Sequence, residues 1–423
     1  MKRIFALLTA LVVMICLSSV ALADWKDENI TMTIIHEHTA EAAKTVASSR
    51  NFLKVQDEFS ALYPNITLDV TALGSSEIFN KLTILAAAND LPDIVYLNTK
   101  VYGAIKDDNM LVDLTGYVDP ANYRDKLNTF SNNGKINGVP TKYTTYDYVF
   151  YNAKLWKEAG YDEFPTTWED MLKANEYFES KGITTLIMGN KLGFFITNGY
   201  LDALMYEICG EDWINHLAAG DGQANWTDDC FIQCLNELQT LIPLFNKDFV
   251  TADDQWAVAE YCKGDAAATV SGSWVPGSIK SYEDDYPGIT DGTRVAALPT
   301  VSGKPAVVNY AAPQGLGVNA NLTGSKLEAA IAFVQYMGSK KYSQYQAEDG
   351  ELGPVQVDVD PTNLVQMQVD LFDVMNSHEN KPIVGSIISS AESTALSASL
   401  NSFMAGVITA KECAVEVQAA ATR

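Results

Sequence analysis

Three consecutive residues near the start of the chain, His36, Glu37 and His38, carry side chains that can hydrogen-bond to a ligand or hold a metal ion. Imidazole and carboxylate groups are good ligands for zinc. Alternate side chains of an extended segment point to opposite sides, so the two histidines share one ion only if the backbone turns. Only His216 and His378 remain elsewhere. We expect hydrogen bonds to a polar ligand here; metal capture and simple surface exposure stay open as alternatives.

Signatures of catalysis are missing from the sequence. Ser273 lies in Gly272-Ser273-Trp274, which lacks the Gly-x-Ser-x-Gly elbow of hydrolases. Residues 315–317 lack the remaining glycines of a dinucleotide fingerprint, and no Gly-Lys-Ser/Thr phosphate loop occurs. Among 53 Asp and Glu residues, two that resemble the catalytic pair of a glycoside hydrolase can always be found. The number of carboxylates is therefore no evidence for such an enzyme. We therefore predict a protein that is not an enzyme, with no cofactor and no resident metal; a secreted glycoside hydrolase is the alternative.

The elements that must position residues 36–38 form a repeating pattern. Residues 32–35, 66–70 and 94–97 are predicted strands, and an amphipathic helix is predicted in each interval between them. Such a β-α-β-α-β succession is typical of a parallel sheet with helices on its faces. Ligands of open sheets bind beyond the carboxyl ends of the strands. The candidate binding residues that follow predicted strands are therefore His36, Glu37, His38, Ser75, Ser76, Asn98 and Thr99.

A second α/β unit is predicted from residue 148 onward. Its first helix is expected to start with a capping box formed by Thr166 and Glu169 and to end at Gly182. A predicted strand at 184–188 leads to Asn190, and another at 266–270 leads to residues 272–274. A later helix is expected to start with Ser325 and Glu328. The fold class is therefore α/β, and 400 residues beyond Ala23 imply two domains.

The N-terminus has the features of a secretory signal. Lys2 and Arg3 precede an uncharged run at 4–17 and the small-residue site Ala21-Leu22-Ala23. The run is shorter than the roughly 18 residues of a spanning helix. We predict cleavage after Ala23 and a product in the periplasm or at the cell surface. Acylation of Cys16 is the alternative, although Ile15 stands where lipoprotein sites carry a small residue.

Composition excludes several classes of partner. The whole chain has a formal net charge of −24, which repels nucleic acid and anionic lipid. The cysteines at 209, 230, 234, 262 and 413 lack the regular spacing of a disulfide-rich domain, so we expect buried thiols and no disulfide scaffold. Cys230 and Cys234 alone are weak evidence for a metal site.

Several segments taken together resemble the family 1 extracellular solute-binding proteins of ABC importers, which include maltodextrin-binding members. One is Tyr63-Pro64-Asn65-Ile66, a turn into a strand. The other matching segments are residues 89–95, 151–156 with 159–160, 165–169, 264–268, 272–274 and 317–319. The order and spacing of these segments together resemble the family more specifically than any single segment does.

The resemblance implies a two-lobed periplasmic-binding-protein fold of type II. Each lobe would be a mainly parallel sheet flanked by helices, with hinge crossovers between the lobes. By analogy, residues 24–144 with 312–350 form lobe one, and residues 145–311 with 351–423 form lobe two. The resemblance further implies a monomer that binds a sugar, delivers it to a transmembrane permease and binds no nucleic acid. Another small polar solute, such as a polyamine or a metal ion, is the alternative ligand.

Candidate contacts in the second lobe also follow from the resemblance. The family commonly carries a ligand-facing tryptophan at the position of Trp274, although a core position is the alternative. Sugars need aromatic rings for their C–H faces and fixed polar groups for their hydroxyls. The other candidates by analogy or by position near the first crossover are Asn190, Phe194, Phe195, Tyr146, Asp147 and Gln314. Leu97, Asn98 and Thr99 stand where maltodextrin-binding members carry a tryptophan, which disfavours a linear maltodextrin.

Overall fold

A computed structural model describes residues 25–106, 109–124, 126–146, 148–191, 193, 195–360, 362 and 364–421. The side chains at 75, 76, 99, 100, 312, 313 and 390 are not part of that description. The predicted signal segment, Cys16, Asp147 and Phe194 lie outside the described residues. Among the described residues, no helix has the length and apolar character needed to cross a membrane.

Eleven strands lie within the described residues. In chain order they are β1 Ile30–His36, β2 Ile66–Ala72, β3 Ile94–Leu97, β4 Ser131–Asn132, β5 Lys135–Ile136, β6 Val139–Thr145, β7 Tyr148–Asn152, β8 Ala268–Ser271, β9 Thr293–Ala297, β10 Val307–Val318 and β11 Glu379–Pro382.

The helices of the first half of the described chain are α1 Ala42–Thr45, α2 Ala47–Leu62, α3 Ser75–Ala87, α4 Thr99–Ile105, α5 Ala153–Glu158, α6 Trp168–Lys181, α7 Asp202–Leu204, α8 Glu211–Ala219 and α9 Asp229–Thr240. Those of the second half are α10 Asp254–Lys263, α11 Val275–Ser281, α12 Ile289–Gly292, α13 Gly324–Met337, α14 Lys340–Glu348, α15 Gln366–Ser377, α16 Val384–Ile387, α17 Ser390–Met404 and α18 Ala410–Ala420. Short 3-10 turns occur at Trp25–Asp27, Pro120–Asn122 and Ile242–Leu244, and π-helical turns at Phe195–Leu201 and Met205–Cys209.

The first sheet has the strand order β11-β10-β3-β1-β2, and β6 also pairs with β10. Strand β1 runs parallel to β2 and to β3, as predicted from the β-α-β-α-β pattern. Strand β10 is antiparallel to β3 and β6 and parallel to β11. Its pairing with β6 is irregular between Ala311 and Gly315. This long strand therefore joins the part of the sheet near β3 to the part near β11.

The second sheet has the order β8-β7-β9, with β7 antiparallel to both neighbours. Single parallel bridges, such as Ile187 with Thr269, extend it beside β8. The predicted strand at 184–188 is present only as such bridges. The prediction of a mainly parallel sheet is therefore confirmed for β1, β2 and β3 of the first sheet and needs correction for the second sheet, because β7 runs antiparallel to both of its neighbours.

Two large apolar cores correspond to the two lobes. The first includes Phe52, Phe59 and Val95, packed against residues of α13. The second lies on one face of β7 and includes Trp156 and Trp226. A smaller cluster with Tyr148 and Phe150 covers the other face of β7. The fold is thus the predicted two-lobed α/β architecture. The residue limits given above for each lobe stay a prediction.

The cysteine prediction needs correction. Cys209 and Cys230 form a disulfide, with their Cα atoms 5.2 Å apart. It ties the π-helical turn Met205–Cys209 to α9. Cys234, Cys262 and Cys413 are buried free thiols, as expected. No regular cysteine spacing marks this pair, because a single bridge between neighbouring helices requires none.

Candidate functional site

The carboxyl ends of three parallel strands bring the predicted segments to one edge of the first sheet. The register pairs His36 at the end of β1 with Ala72 at the end of β2, and Ile35 of β1 with Val95 of β3. Ser75 and Ser76 open α3 at this edge, and Thr99 opens α4. Asn98 caps α4, because its Oδ1 accepts a hydrogen bond from the Val101 amide at 2.8 Å. That oxygen is therefore already engaged within the protein.

His36 is buried and has both ring nitrogens engaged. Its Nδ1 accepts from the His38 amide at 3.2 Å, which leaves the proton on Nε2, 3.2 Å from Gln56 Oε1. Burial lowers the pKa of His36 to about 4, so the ring is neutral at pH 7. The prediction of surface exposure needs correction for His36, because the residue is buried. The predictions of a ligand contact and of metal capture also need correction, because in this conformation both ring nitrogens are engaged within the protein.

His38 is also buried. Its ring stacks on Phe52 with centroids 4.1 Å apart, and its Nδ1 lies 3.1 Å from Ser49 Oγ. Burial lowers the pKa of His38, and the nearby Lys142 charge lowers it further. Its Nε2 has no hydrogen-bond partner among the described residues. His38 therefore supports the site from behind in this conformation and does not offer an exposed group.

Glu37, between the two histidines, is half-buried and lies at the surface of the site. It accepts a hydrogen bond from Gln314 Nε2 of β10. The Tyr96 hydroxyl lies beside it: burial raises the pKa of Tyr96, and the Glu37 charge raises it further. The structure thus brings together two predicted residues that are distant in sequence, Glu37 and Gln314.

Lys142 of β6 continues this surface, since it is the cross-strand partner of Gln314. Its ammonium donates a hydrogen bond to Ser48 Oγ at 2.8 Å and lies 3.8 Å from Glu351 Oε1. Lys142 is 5% exposed and Glu351 is 1% exposed. We call Glu37, Tyr96, Lys142, Gln314 and Glu351 the polar wall.

The polar wall has hydrogen-bonding capacity that the protein does not use. Five buried atoms in and behind it have no partner within the described part of the chain: His38 Nε2, Gln314 Oε1, Gln346 Oε1 and both carboxylate oxygens of Glu351. Leaving a buried polar group unsatisfied costs about 1–3 kcal/mol. A cluster of such atoms beside a cleft therefore favours a polar ligand or water at this place.

Trp274 lies across from the polar wall. Its ring packs against Gly272, where an added Cβ atom would come within 1.9 Å of the indole. Two hydrogen bonds between Ser273 and Thr145, of 2.9 and 3.2 Å, fix this loop to the end of β6. The glycine and the serine of the Gly-Ser-Trp segment therefore hold the indole in place.

Trp274 belongs to an aromatic cluster. Tyr146 meets it edge-on at 5.5 Å and Phe195 meets it at 6.0 Å, both measured between ring centroids. The indole is half-buried, so part of its surface remains accessible. We call Tyr146, Phe195 and Trp274 the aromatic cluster; all three are sequence-predicted site residues, and the structure brings them together.

Asp254 borders the aromatic cluster. Trp274 Nε1 donates to its Oδ2 at 3.4 Å. Burial raises the pKa of Asp254 to about 7, and the Asp253 charge acts in the same direction. The indole therefore contacts a carboxyl group that changes charge near neutral pH.

Asn190 lies behind the aromatic cluster and is fully buried. Its Oδ1 accepts from the Ile196 amide at 3.1 Å and its Nδ2 donates to Asn401 Oδ1 at 3.3 Å. The prediction of direct ligand contact therefore needs correction for Asn190 in this conformation. The residue instead holds the turn that carries Phe195.

The polar wall and the aromatic cluster face each other. Lys142 Nζ lies 5.9 Å from the centre of the Trp274 ring. Nearby, α1 and the start of α2 contact α11: Ser278 Oγ donates to the Thr45 carbonyl at 3.4 Å, and Gly277 packs against Ala47. The two lobes therefore touch at the edge of the site.

Sequence reasoning missed Lys142, Glu351, Tyr96 and Asp254. The position of Lys142 between apolar and threonine residues in a predicted crossover was the only available signal. A lysine within a strand whose seven residues are all buried is unusual. Burial of that strand, however, is visible only in the folded chain.

A family model described as bacterial extracellular solute-binding protein matches residues 43–344. A curated relative, the lactose-binding protein of Rhizobium radiobacter, is 23% identical over 240 residues, which is 54% of this chain and 54% of that protein. The chain thus spans about half the length of the curated relative it matches.

Solved structures share the fold over nearly the whole described chain. A chitin oligosaccharide binding protein superposes with a TM-score of 0.81 at 19% identity, covering 92% of this chain and 98% of that one. The maltose-bound T. maritima MalE3 gives a TM-score of 0.76 at 17% identity, covering 92% and 98%. The solute receptor AcbH, described as preferring b-D-galactopyranose, superposes with a TM-score of 0.75 at 14% identity. The superposition covers 92% of this chain and 98% of that one. At these identities the likeness concerns the fold.

Proposed function

Because the chain belongs to the family of bacterial extracellular solute-binding proteins, we propose that it captures a carbohydrate between its two lobes and delivers it to the permease of an ABC transporter. The preferred ligand is an oligosaccharide. The similar proteins named for lactose, chitin oligosaccharides, maltose and galactopyranose support this class of ligand.

The observation that carries the proposal is the polar wall facing the aromatic cluster. A pyranose ring has C–H faces that pack on aromatic rings and hydroxyl edges that need fixed hydrogen-bond partners. Trp274 offers a ring, and the wall offers an amide, a lysine and carboxylates opposite it. A site of this composition suits a molecule with both kinds of surface.

Release to a permease sets limits on affinity. A ligand shifts the balance between open and closed forms only by its different affinity for the two. Contacts on both lobes give that difference, and a micromolar Kd, about 8 kcal/mol of binding free energy, leaves release possible. We propose that the protein acts as a monomer after export across the cytoplasmic membrane and performs no chemistry on its ligand.

A thermal-shift screen of the protein beginning at Asp24 tests the proposal. Mono- and oligosaccharides, polyamines, Zn²⁺ and Fe³⁺ would be tested separately, and positive results repeated by isothermal titration calorimetry. We expect a saturable rise in Tm with one series of sugars. Binding of a polyamine or a metal alone would contradict the carbohydrate assignment.

Analysis of the ligand after incubation separates binding from hydrolysis. We expect the bound oligosaccharide to be recovered intact. New reducing ends that appear in proportion to protein concentration would identify a glycoside hydrolase instead.

A further inference from the structure

We propose that the buried Lys142–Glu351 pair makes the site selective for uncharged sugars, and that Glu351 is the residue that excludes a ligand carrying a carboxylate, such as a uronate. This inference deepens the proposed function and rests on it. It concerns the charge of the ligand, which the family assignment leaves open.

The pair lies within reach of the cleft. Lys142 Nζ is 2.8 Å from Ser48 Oγ on one side and 5.9 Å from the centre of the Trp274 ring on the other. It is the cross-strand neighbour of Gln314, which contacts Glu37. A ligand that stacks on Trp274 and hydrogen-bonds to the polar wall therefore comes close to Lys142.

Without Glu351 the same place would attract an anion. Ser48 and Ser49 lie in the first turn of α2, a helix of 16 residues whose N-cap, Val46, contributes no side-chain hydrogen bond. The amides of such a turn carry partial positive charge and attract anions. Together with the Lys142 ammonium and the Ser48 hydroxyl, they have the donor set that binds a carboxylate.

Glu351 already supplies a carboxylate at this place. Burial raises the pKa of Glu351, whereas the Lys142 charge and the nearby Ser48 amide lower it. Its side chain is 1% exposed, and Oε1 lies 3.8 Å from Lys142 Nζ. That distance is too long for a direct hydrogen bond. The two groups can therefore share one neutral bridging hydroxyl, which accepts from the ammonium and donates to the carboxylate.

The charges of the polar wall oppose a second carboxylate. Glu37 and Glu351 place two carboxyl groups beside the single ammonium of Lys142. Arg50 and Asp349 lie nearby and pair with each other at 3.1 Å, so they add no net charge. Like charges held together at a poorly hydrated site repel strongly, because screening by water is weak there.

The test compares matched neutral and acidic sugars by isothermal titration calorimetry at pH 7.5. The probes are galactotriose with trigalacturonate, and cellobiose with cellobiouronate. The proteins are the wild type, Glu351→Gln, which keeps the shape and removes the charge, and Glu379→Gln. Glu379 is an exposed member of an ion pair with Lys381, so its variant changes the net charge equally at a surface position.

We expect the wild type to bind a neutral probe at least tenfold more tightly than its acidic partner. In Glu351→Gln this ratio should fall by tenfold or more, while Glu379→Gln retains it. Equal affinities in the wild type, or an unchanged ratio in a folded Glu351→Gln protein, would overturn the inference. Equal affinities in the wild type would overturn the inference even if Glu351→Gln does not fold.

The two proposals fail in different ways. If neither the probes nor any sugar of the wider screen binds the wild type, the proposed function fails and this inference fails with it. If neutral sugars bind but charge discrimination does not depend on Glu351, only this inference is overturned.

Discussion

Gly277 of α11 and Ala47 of α2 approach so closely that a Cβ atom added to Gly277 would lie 2.9 Å from the Ala47 Cβ. The two residues belong to elements on opposite sides of the site. Their contact therefore requires the conformation in which the polar wall and the aromatic cluster face each other.

Substitution Gly277→Val should hold the lobes apart. Overpacking a tight contact costs about 1–3 kcal/mol, and this cost falls only on the closed form. We expect ligand affinity to decrease about tenfold or more with little change in Tm. Calorimetric titration measures the affinity and a thermal melt measures the Tm, and the radius of gyration from small-angle X-ray scattering reports the separation of the lobes.

A residue swap provides the control for this contact. Gly277→Ala alone should weaken binding, and Ala47→Gly in the same protein should restore it, because the total volume is then unchanged. Gly292→Val, at a position where an added Cβ meets nothing within 4 Å, should leave affinity unaltered. Failure of the swap to restore affinity would contradict the role of this contact.

Substitution Trp274→Ala should weaken ligand binding at least tenfold and leave the fold intact. The indole contributes the largest aromatic surface of the cluster, and aromatic stacking and burial are lost with it. Affinity by calorimetry and secondary structure by circular dichroism test this outcome. Trp25→Ala, which removes an indole packed on Tyr63 with centroids 4.8 Å apart, is the matched control. Unchanged affinity in Trp274→Ala would remove this residue from the site.

Asp254 predicts a pH dependence of stability. Its pKa is raised from 3.8 to about 7, so the folded state binds a proton that the unfolded state has lost between these values. The stability that this proton contributes is present at low pH and is lost as pH rises toward 7. Relative to Asp254→Asn, the wild type should therefore become less stable between pH 5 and pH 8.

Urea unfolding at several pH values measures this difference. The histidines act in the opposite direction, because the pKa of His36 is lowered to about 4, but they are common to both proteins and cancel in the comparison. Intrinsic fluorescence, to which Trp274 contributes as one of seven tryptophans, should change over the same pH range in the wild type and not in Asp254→Asn. A difference in stability that is constant across pH would refute the assignment.

The Cys209–Cys230 disulfide predicts a loss of stability on reduction. The bridge closes a loop with a sequence separation of 21, for which the chain-entropy model gives about 3 kcal/mol. Urea unfolding with and without a reductant tests this magnitude, and the Cys209→Ser/Cys230→Ser protein should match the reduced wild type. Thiol titration of the denatured, unreduced protein beginning at Asp24 should find the three free cysteines, Cys234, Cys262 and Cys413.

The local elements of the fold were largely predictable. The apolar spacing that defines β1, β2 and β3 is contained within each segment, and Gly182 ends α6 in the left-handed conformation as expected. Helix starts were less predictable. The cap of α6 is Thr167, bonded to the Asp170 amide, and that of α13 is Thr323. Adjacent residues of similar capping ability, such as Thr166 and Thr167, cannot be ranked from the sequence.

The site was predictable where it follows a strand and not where it depends on tertiary contacts. Glu37 and Gln314 were identified, whereas Lys142 and Glu351 meet only because β6 and the segment after α14 converge. His36 and His38 have polar side chains at the end of a strand, and nothing local indicates that Phe52 and Gln56 bury them. The same limit applies to Asn190.

The irregular pairing of β10 between Ala311 and Gly315 has a mechanical consequence. If the lobes rotate, bending is concentrated where the ladder of hydrogen bonds is interrupted, and Gln314 lies at that interruption. Points near a pivot move little, whereas points far from it move through a longer arc. Opening would then leave Gln314 almost in place beside Glu37 while it separates Gly277 from Ala47. An arriving ligand would form its first hydrogen bonds near the pivot, at Gln314. Closure would then be completed far from the pivot, where Gly277 meets Ala47.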